Sequence, residues 1–179
     1  MKDNDVALRC NLVTVINEEM HDYSAGHIST NEAKELISSL QKELGNENIT
    51  FHCGVQYRHL LIWNNGSVDY SCTPPHEISD NKIHSYIPSG NDSKMLIDLM
   101  EKSKSIFINH PINKKREAEG KLPATQIWLW GQGKSMQLES YQKLYNLNGG
   151  IISAVDLLKG LVKLAGLKAP NILGATGFI

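Results

Sequence analysis

The hydrophobic pattern changes period along the chain, and each change predicts an element. From Val6 to Ile16, the run VALRCNLVTVI is rich in β-branched and apolar residues and bounded by polar ones, which predicts a strand. The segment SAGHIST follows as a loop. Ser29 and Glu32 then have the Ser-x-x-Glu spacing of a capping box, and Ala33, Leu36, Ile37, Leu40 and Leu44 recur at helical spacing before Gly45. Ile49 to Val55 and Tyr57 to Trp63 are two strand-like runs, followed by the turn signal Asn64-Asn65-Gly66 and a short strand-like run from Val68 to Ser71. From Cys72 to Asn91 the chain is polar and proline-containing, a loop long enough to be functional or mobile.

A second helix is predicted from Ser93 to about Asn109, with Leu96, Leu99, Met100 and Phe107 on one face and His110-Pro111 as its break. A short basic helix from Pro111 to Glu119 ends at Gly120, and Thr125 to Trp130 reads as a buried strand with GQGK as a turn after it. From residue 6 to 130 the order is strand, helix, strand, strand, helix, strand. That is the split βαβ order of a ferredoxin-like α+β sandwich, with its helices on one face of an antiparallel sheet. The tail repeats a smaller β-α-β order: a strand at 149–152, a helix from about Ser153 to Ala165, and a strand from Pro170 onward. We therefore expect two domains, 1–148 and 149–179.

Composition narrows the function. At 179 residues with 41% hydrophobic and 21% charged, the chain has the composition of a globular protein. A formal charge of −1 provides no basic field for nucleic acid or an anionic membrane. No apolar run approaches the roughly 18 residues of a membrane-spanning helix. Cys10, Cys53 and Cys72 form neither a disulfide framework nor a zinc ribbon, which fits a reducing, cytoplasmic setting. The strand that begins at Val6 and the apolar end ILGATGFI read as cut rather than finished termini.

Several residues are candidates for chemistry. His21, Asp22, Ser24 and His27 precede a helix N-terminus, which reads either as an anion subsite or as a solvated loop with a capped helix. Arg9 interrupts an apolar strand and Arg58 starts another. Each is either a planar fork for phosphate or carboxylate or an arginine on a solvated sheet face. His52, His76, His84 and His110 lack metal-ligand spacing, and GQGK lacks the spacing of a P-loop. Lys114, Lys115 and Arg116 read as a solvated helix face. Lys159 in SAVDLLKGL is either a snorkelling surface residue or a point charge aimed at a phosphate.

Taken in order, DVALRCNLVTV, DYSAGHIST, TPPHEI, HPIN with Arg116 and GK, IWLWGQGK, ISAVDLLKG and GATG resemble the archaeal-type cofactor-independent phosphoglycerate mutases. The resemblance implies a parent enzyme of the alkaline phosphatase-like superfamily that interconverts 2- and 3-phosphoglycerate in glycolysis. Such an enzyme uses a transiently phosphorylated serine and two divalent metals (manganese, zinc or magnesium). It implies that residues 1–148 are the inserted lid domain and that 149–179 begin the returning core. The serine and metal ligands would then lie outside this stretch, leaving it without catalytic residues, metal or cofactor of its own. Arg9, His27, Arg58 and Lys159 match the positions where the motifs place substrate-binding basic groups. Two other readings stay open: a homoserine kinase-like phosphotransferase of the same superfamily, and a non-catalytic ferredoxin-like binding module.

Overall fold

The computed structural model describes residues 1–153, 156–170 and 172. They form two compact units, Met1–Ser135 and Met136–Ile179, so the expected boundary at 148/149 falls inside the second unit.

The first unit is built on an antiparallel sheet of five strands: β1 (Val6–Ile16), β2 (Glu19–Asp22), β3 (Ile49–Val55), β4 (Arg58–Trp63) and β5 (Gln126–Lys134). Strand β1 pairs with β4, β4 with β3, and β5 with β1. Leaving β2 aside, the spatial order is therefore β5-β1-β4-β3, which places the last strand beside the first and the third beside the second, as the split βαβ order requires. Helices α1 (Thr30–Leu44) and α2 (Lys94–Phe107) pack on β3, on β5 and on each other. A third helix, α3 (Pro111–Ala118), joins α2 to β5.

Alternation along β1 decides which face is covered. Val6, Leu8, Cys10 and Leu12 are fully buried, facing Ala33, Leu36 and Leu40 of α1 and Leu96, Leu99 and Phe107 of α2 within one apolar core. Arg9, between them, is exposed. Helix α1 starts as predicted: Ser29 Oγ accepts from the Glu32 N–H, and the Glu32 carboxylate accepts from the Ser29 N–H at 3.0 Å. At the other end, Gly45 is extended rather than left-handed. A Cβ there would collide with the Gln41 carbonyl, so closeness of approach requires the glycine.

Four expectations are corrected. Strand β2 lies inside what reads as loop: it hairpins back on β1 through Asn17 and Glu18, both at positive φ (49° and 64°), the type I′ geometry that suits a strand's twist. GQGK does not turn the chain. Residues 131–134 continue β5 past a register shift opposite Ala7 and Arg9, and Gly131 at φ +61° forms the bulge. Val68 to Ser71 forms no strand, only a single bridge from Ser71 to Ser89. Arg116 is 2% exposed rather than solvated, whereas Lys114 and Lys115 are exposed.

The loop 72–91 runs across part of the second sheet face, held by short 3-10 turns at Pro75–Glu77 and Ile83–Ser85. Trp128 Nε1 donates to the Thr73 carbonyl at 2.8 Å, which is how Trp128 on that face becomes fully buried. The second unit holds α4 (Tyr141–Tyr145), capped by Ser140, and α5 (Asp156–Leu164). The predicted strand at 149–152 does not form: among the described residues it is a single parallel bridge from Gly150 to Lys168. The predicted last strand, from Pro170, falls almost wholly outside the described residues.

Candidate functional site: the open sheet face

Antiparallel pairing puts directly opposed residues on the same face. Arg9 opposes Leu60 on one side and Trp130 on the other, and Asn11 opposes Arg58. Arg9 and Asn11 are two apart on β1, so Arg9 and Arg58 project from the same face, as a shared anion site requires. They occupy diagonal positions, roughly 7–8 Å apart at the backbone. This is the face away from α1 and α2. His52 and Leu60 continue it as a cross-strand pair, and both are exposed.

Both guanidiniums are exposed, and among the described residues neither has a carboxylate or hydrogen-bonding partner. Instead each lies over a ring: Arg9 Cζ is 4.7 Å from the Trp130 ring centre and Arg58 Cζ is 5.3 Å from that of Tyr57. Their donor forks are left for a ligand, and a planar fork pairs two-pronged with a phosphate or a carboxylate.

The other two expected residues behave differently. His27 is exposed at φ 51°, and its backbone N–H donates to Ser24 Oγ at 3.1 Å. No ring contact or side-chain hydrogen bond joins it to Arg9 or Arg58. The loop around it is occupied by its own groups. Asp22 Oδ1 accepts from the Ser24 N–H and from its hydroxyl, each at 2.6 Å, and the Glu32 carboxylate sits at the N-terminus of α1 where an anion would bind. That geometry is the capped, self-satisfied loop rather than an anion subsite. Lys159 lies half-buried on α5, in the second unit.

Arg116 explains why the loop is so fixed. Its Nε donates to the Leu122 carbonyl at 2.9 Å, Nη2 to the carbonyls of Ala25 and Gly26 at 2.8 and 3.3 Å, and Nη1 to Glu32 at 2.9 Å. Burial opposes ionisation of Glu32, yet the Ser29 hydrogen bonds and the Arg116 charge hold its pKa below the ordinary value. Arginine here ties the entry of α1 to α3 and carries no free donor fork.

Sequence reasoning missed Trp130 and Tyr57, which lie under the two arginines, His76 and Tyr23, which link those rings, and buried Asn11. Trp130 Nε1 donates to Asn11 Oδ1 at 3.1 Å. The signal for Asn11 was a polar residue at an apolar strand position, the same signal that singled out Arg9. A cavity of about 310 Å³ between Val15, Phe107, Asn113 and Thr125 contains none of the expected substrate residues. Among the described residues, no three His, Cys, Asp or Glu side chains converge as a metal site would require. These residues therefore do not fit a two-metal centre, and no step through a metal is assigned to them. The described helices include none long and apolar enough to cross a membrane.

Comparison with known proteins places this sheet in context. The profile of 2,3-bisphosphoglycerate-independent phosphoglycerate mutase matches residues 1–113. The chain belongs to that family. It is 49% identical over 177 residues to the 2,3-bisphosphoglycerate-independent phosphoglycerate mutase of Methanosarcina mazei, covering 98% of this chain and 45% of that protein. Identity is 45% over 179 residues to the probable enzyme of the same name from Geobacter sulfurreducens, again 45% of its length. The chain thus spans about half the length of these mutases. The cofactor-independent phosphoglycerate mutase structure from Thermoplasma acidophilum superposes with a TM-score of 0.64 at 21% identity, over 97% of this chain and 48% of that one, and shares the fold.

Proposed function

We propose that this chain is the substrate-gripping part of a metal-dependent phosphoglycerate mutase that interconverts 2- and 3-phosphoglycerate in cytoplasmic glycolysis. The observation that carries the reading is the pair of unpartnered guanidiniums, Arg9 and Arg58, on one open sheet face. Phosphoglycerate carries a carboxylate and a phosphate, on C3 or on C2, and two neighbouring forks suit two such anions. Phosphoryl transfer depends on positioning and charge neutralisation, so a face that holds both anions supplies the first and part of the second.

In this reading the residues act as follows. Arg9 and Arg58 each donate two N–H bonds to substrate oxygens, and the rings beneath them keep water from the back of each guanidinium. Lys159 adds a point charge once the whole protein is assembled. His27 is a weaker candidate, since its loop is satisfied internally. The nucleophile and the two divalent metals belong to the remainder of the enzyme. The relatives' shared name favours mutase over a homoserine kinase-like phosphotransferase.

The deciding experiment gives the complete protein, with manganese, either 3-phosphoglycerate or homoserine plus a nucleoside triphosphate. Formation of 2-phosphoglycerate is expected. Phosphorylation of homoserine without mutase turnover would replace this reading with the phosphotransferase.

A further inference from the structure

The two arginines are connected by more than the sheet. Below Arg9 lies Trp130. The His76 ring meets Trp130 edge-to-face, with centres 5.5 Å apart at 69°. Tyr23 meets His76 at 6.2 Å and 71°, and Tyr57 meets Tyr23 at 5.8 Å and 75°. Arg58 then lies over Tyr57. Each ring pair has the edge-to-face geometry that the aromatic quadrupole favours. The rings come from four places in the chain: β5, the first 3-10 turn, the residue after β2, and the turn between β3 and β4.

Two further features fix the arc. Asn11 is 4% exposed; its Oδ1 accepts from the Trp130 indole and its Nδ2 donates to the Tyr23 carbonyl at 3.3 Å, so one buried amide holds two members. Gly131, at the bulge beside Trp130, gives Arg9 its room: a Cβ there would sit 3.4 Å from Arg9 Cδ. Tyr57 and Trp130 are half-buried and also pack against the apolar core, which anchors the two rings that lie under the arginines.

We propose that Trp130, His76, Tyr23 and Tyr57 are positioning residues, an aromatic arc that fixes the spacing of the Arg9 and Arg58 forks for a small substrate with two anionic groups. This rests on the reading of both arginines as substrate contacts. An unrestrained arginine loses rotamer freedom when it grips an anion. A guanidinium already held against a ring loses less, so the arc raises affinity without touching the ligand.

A double-mutant cycle in the complete mutase tests this, with KM and kcat for 3-phosphoglycerate as readouts and thermal melting as the fold control. Trp130→Leu is expected to raise KM roughly two- to fivefold, the weight of one exposed cation–π contact, with kcat little changed. Trp130→Phe, which keeps a ring face, should restore most of the loss. Arg9→Ala/Trp130→Leu should be no worse than Arg9→Ala alone, because Trp130 acts through Arg9. If Trp130→Leu does not fold, Tyr57→Leu with Arg58→Ala gives the same cycle at the other end. An unchanged KM in Trp130→Leu, or losses that simply add, overturns the arc while a defective Arg9→Ala leaves the substrate reading standing. A fully active Arg9→Ala removes both.

Discussion

His59 shows how one residue's surroundings set a measurable property. It opposes Cys10 on the core face at 3% exposure, and its Nδ1 accepts from the Gly54 N–H at 3.1 Å. Burial pushes its pKa down to about 4, against a smaller upward contribution from the Gln56 backbone. The folded chain therefore refuses a proton that the unfolded chain takes up near pH 6.5. Stability contributed by the neutral ring is complete above that value and is lost as pH falls toward 4, at up to about 1.4 kcal/mol per pH unit. Urea unfolding measured from pH 7.5 to 4.5 should show this slope, and His59→Leu should flatten it; an equal slope in the variant would refute the assignment.

Arg116 makes the same point about burial and partners. Removing it takes the guanidinium from three carbonyls and leaves Glu32 without its opposing charge, held only by Ser29. Arg116→Ala should therefore cost roughly 3–5 kcal/mol in urea unfolding. A loss below about 1 kcal/mol would mean that the network is dispensable. The residue was misread because three consecutive basic residues look solvated. The spacing of Ile112, Asn113 and Arg116, which share a helical face, was the available signal. That Arg9 and Arg58 share a face was legible because period-2 alternation and antiparallel pairing leave only two faces to choose from. Tyr23, Tyr57, His76 and Trp130 were not, because only the folded chain brings four separate segments together.

At the scale of elements, periodicity was a good guide where an element buries one face, as β1 and α1 do. It failed where backbone conformation decided the outcome. The β1–β2 hairpin turns on Asn17-Glu18, which lacks the glycine that announces a type I′ turn. In GQGK, glycine marks a bulge rather than the end of a strand. The capping box is a direct test of the helix start. Ser29→Ala removes the acceptor for the Glu32 N–H and should destabilise the chain by about 1 kcal/mol. Ser29→Asp, which keeps an acceptor, should cost less. Equal stability of wild type and Ser29→Ala would show that the Arg116 network alone holds this end.

At the scale of the molecule, the two units differ in how they cover apolar surface. The first has one continuous core, whereas on α5 Val162 is buried but Leu157, Leu158, Leu161 and Leu164 are 40–56% exposed. Four exposed leucines on a nine-residue helix form an apolar patch. We expect the 179-residue chain alone to bind an apolar dye and to self-associate in sedimentation. A monomer that leaves the dye dark would show that the patch is covered within the chain. The central claim, that the open sheet face grips the substrate, is tested most directly by kcat/KM of the complete mutase carrying Arg9→Ala or Arg58→Ala. A charge-assisted hydrogen bond contributes about 1.5–3 kcal/mol, so each variant should lose roughly ten- to a hundredfold while its melting temperature holds. Unchanged kcat/KM in both variants would contradict the account and leave the two arginines as solvated residues on a bare sheet.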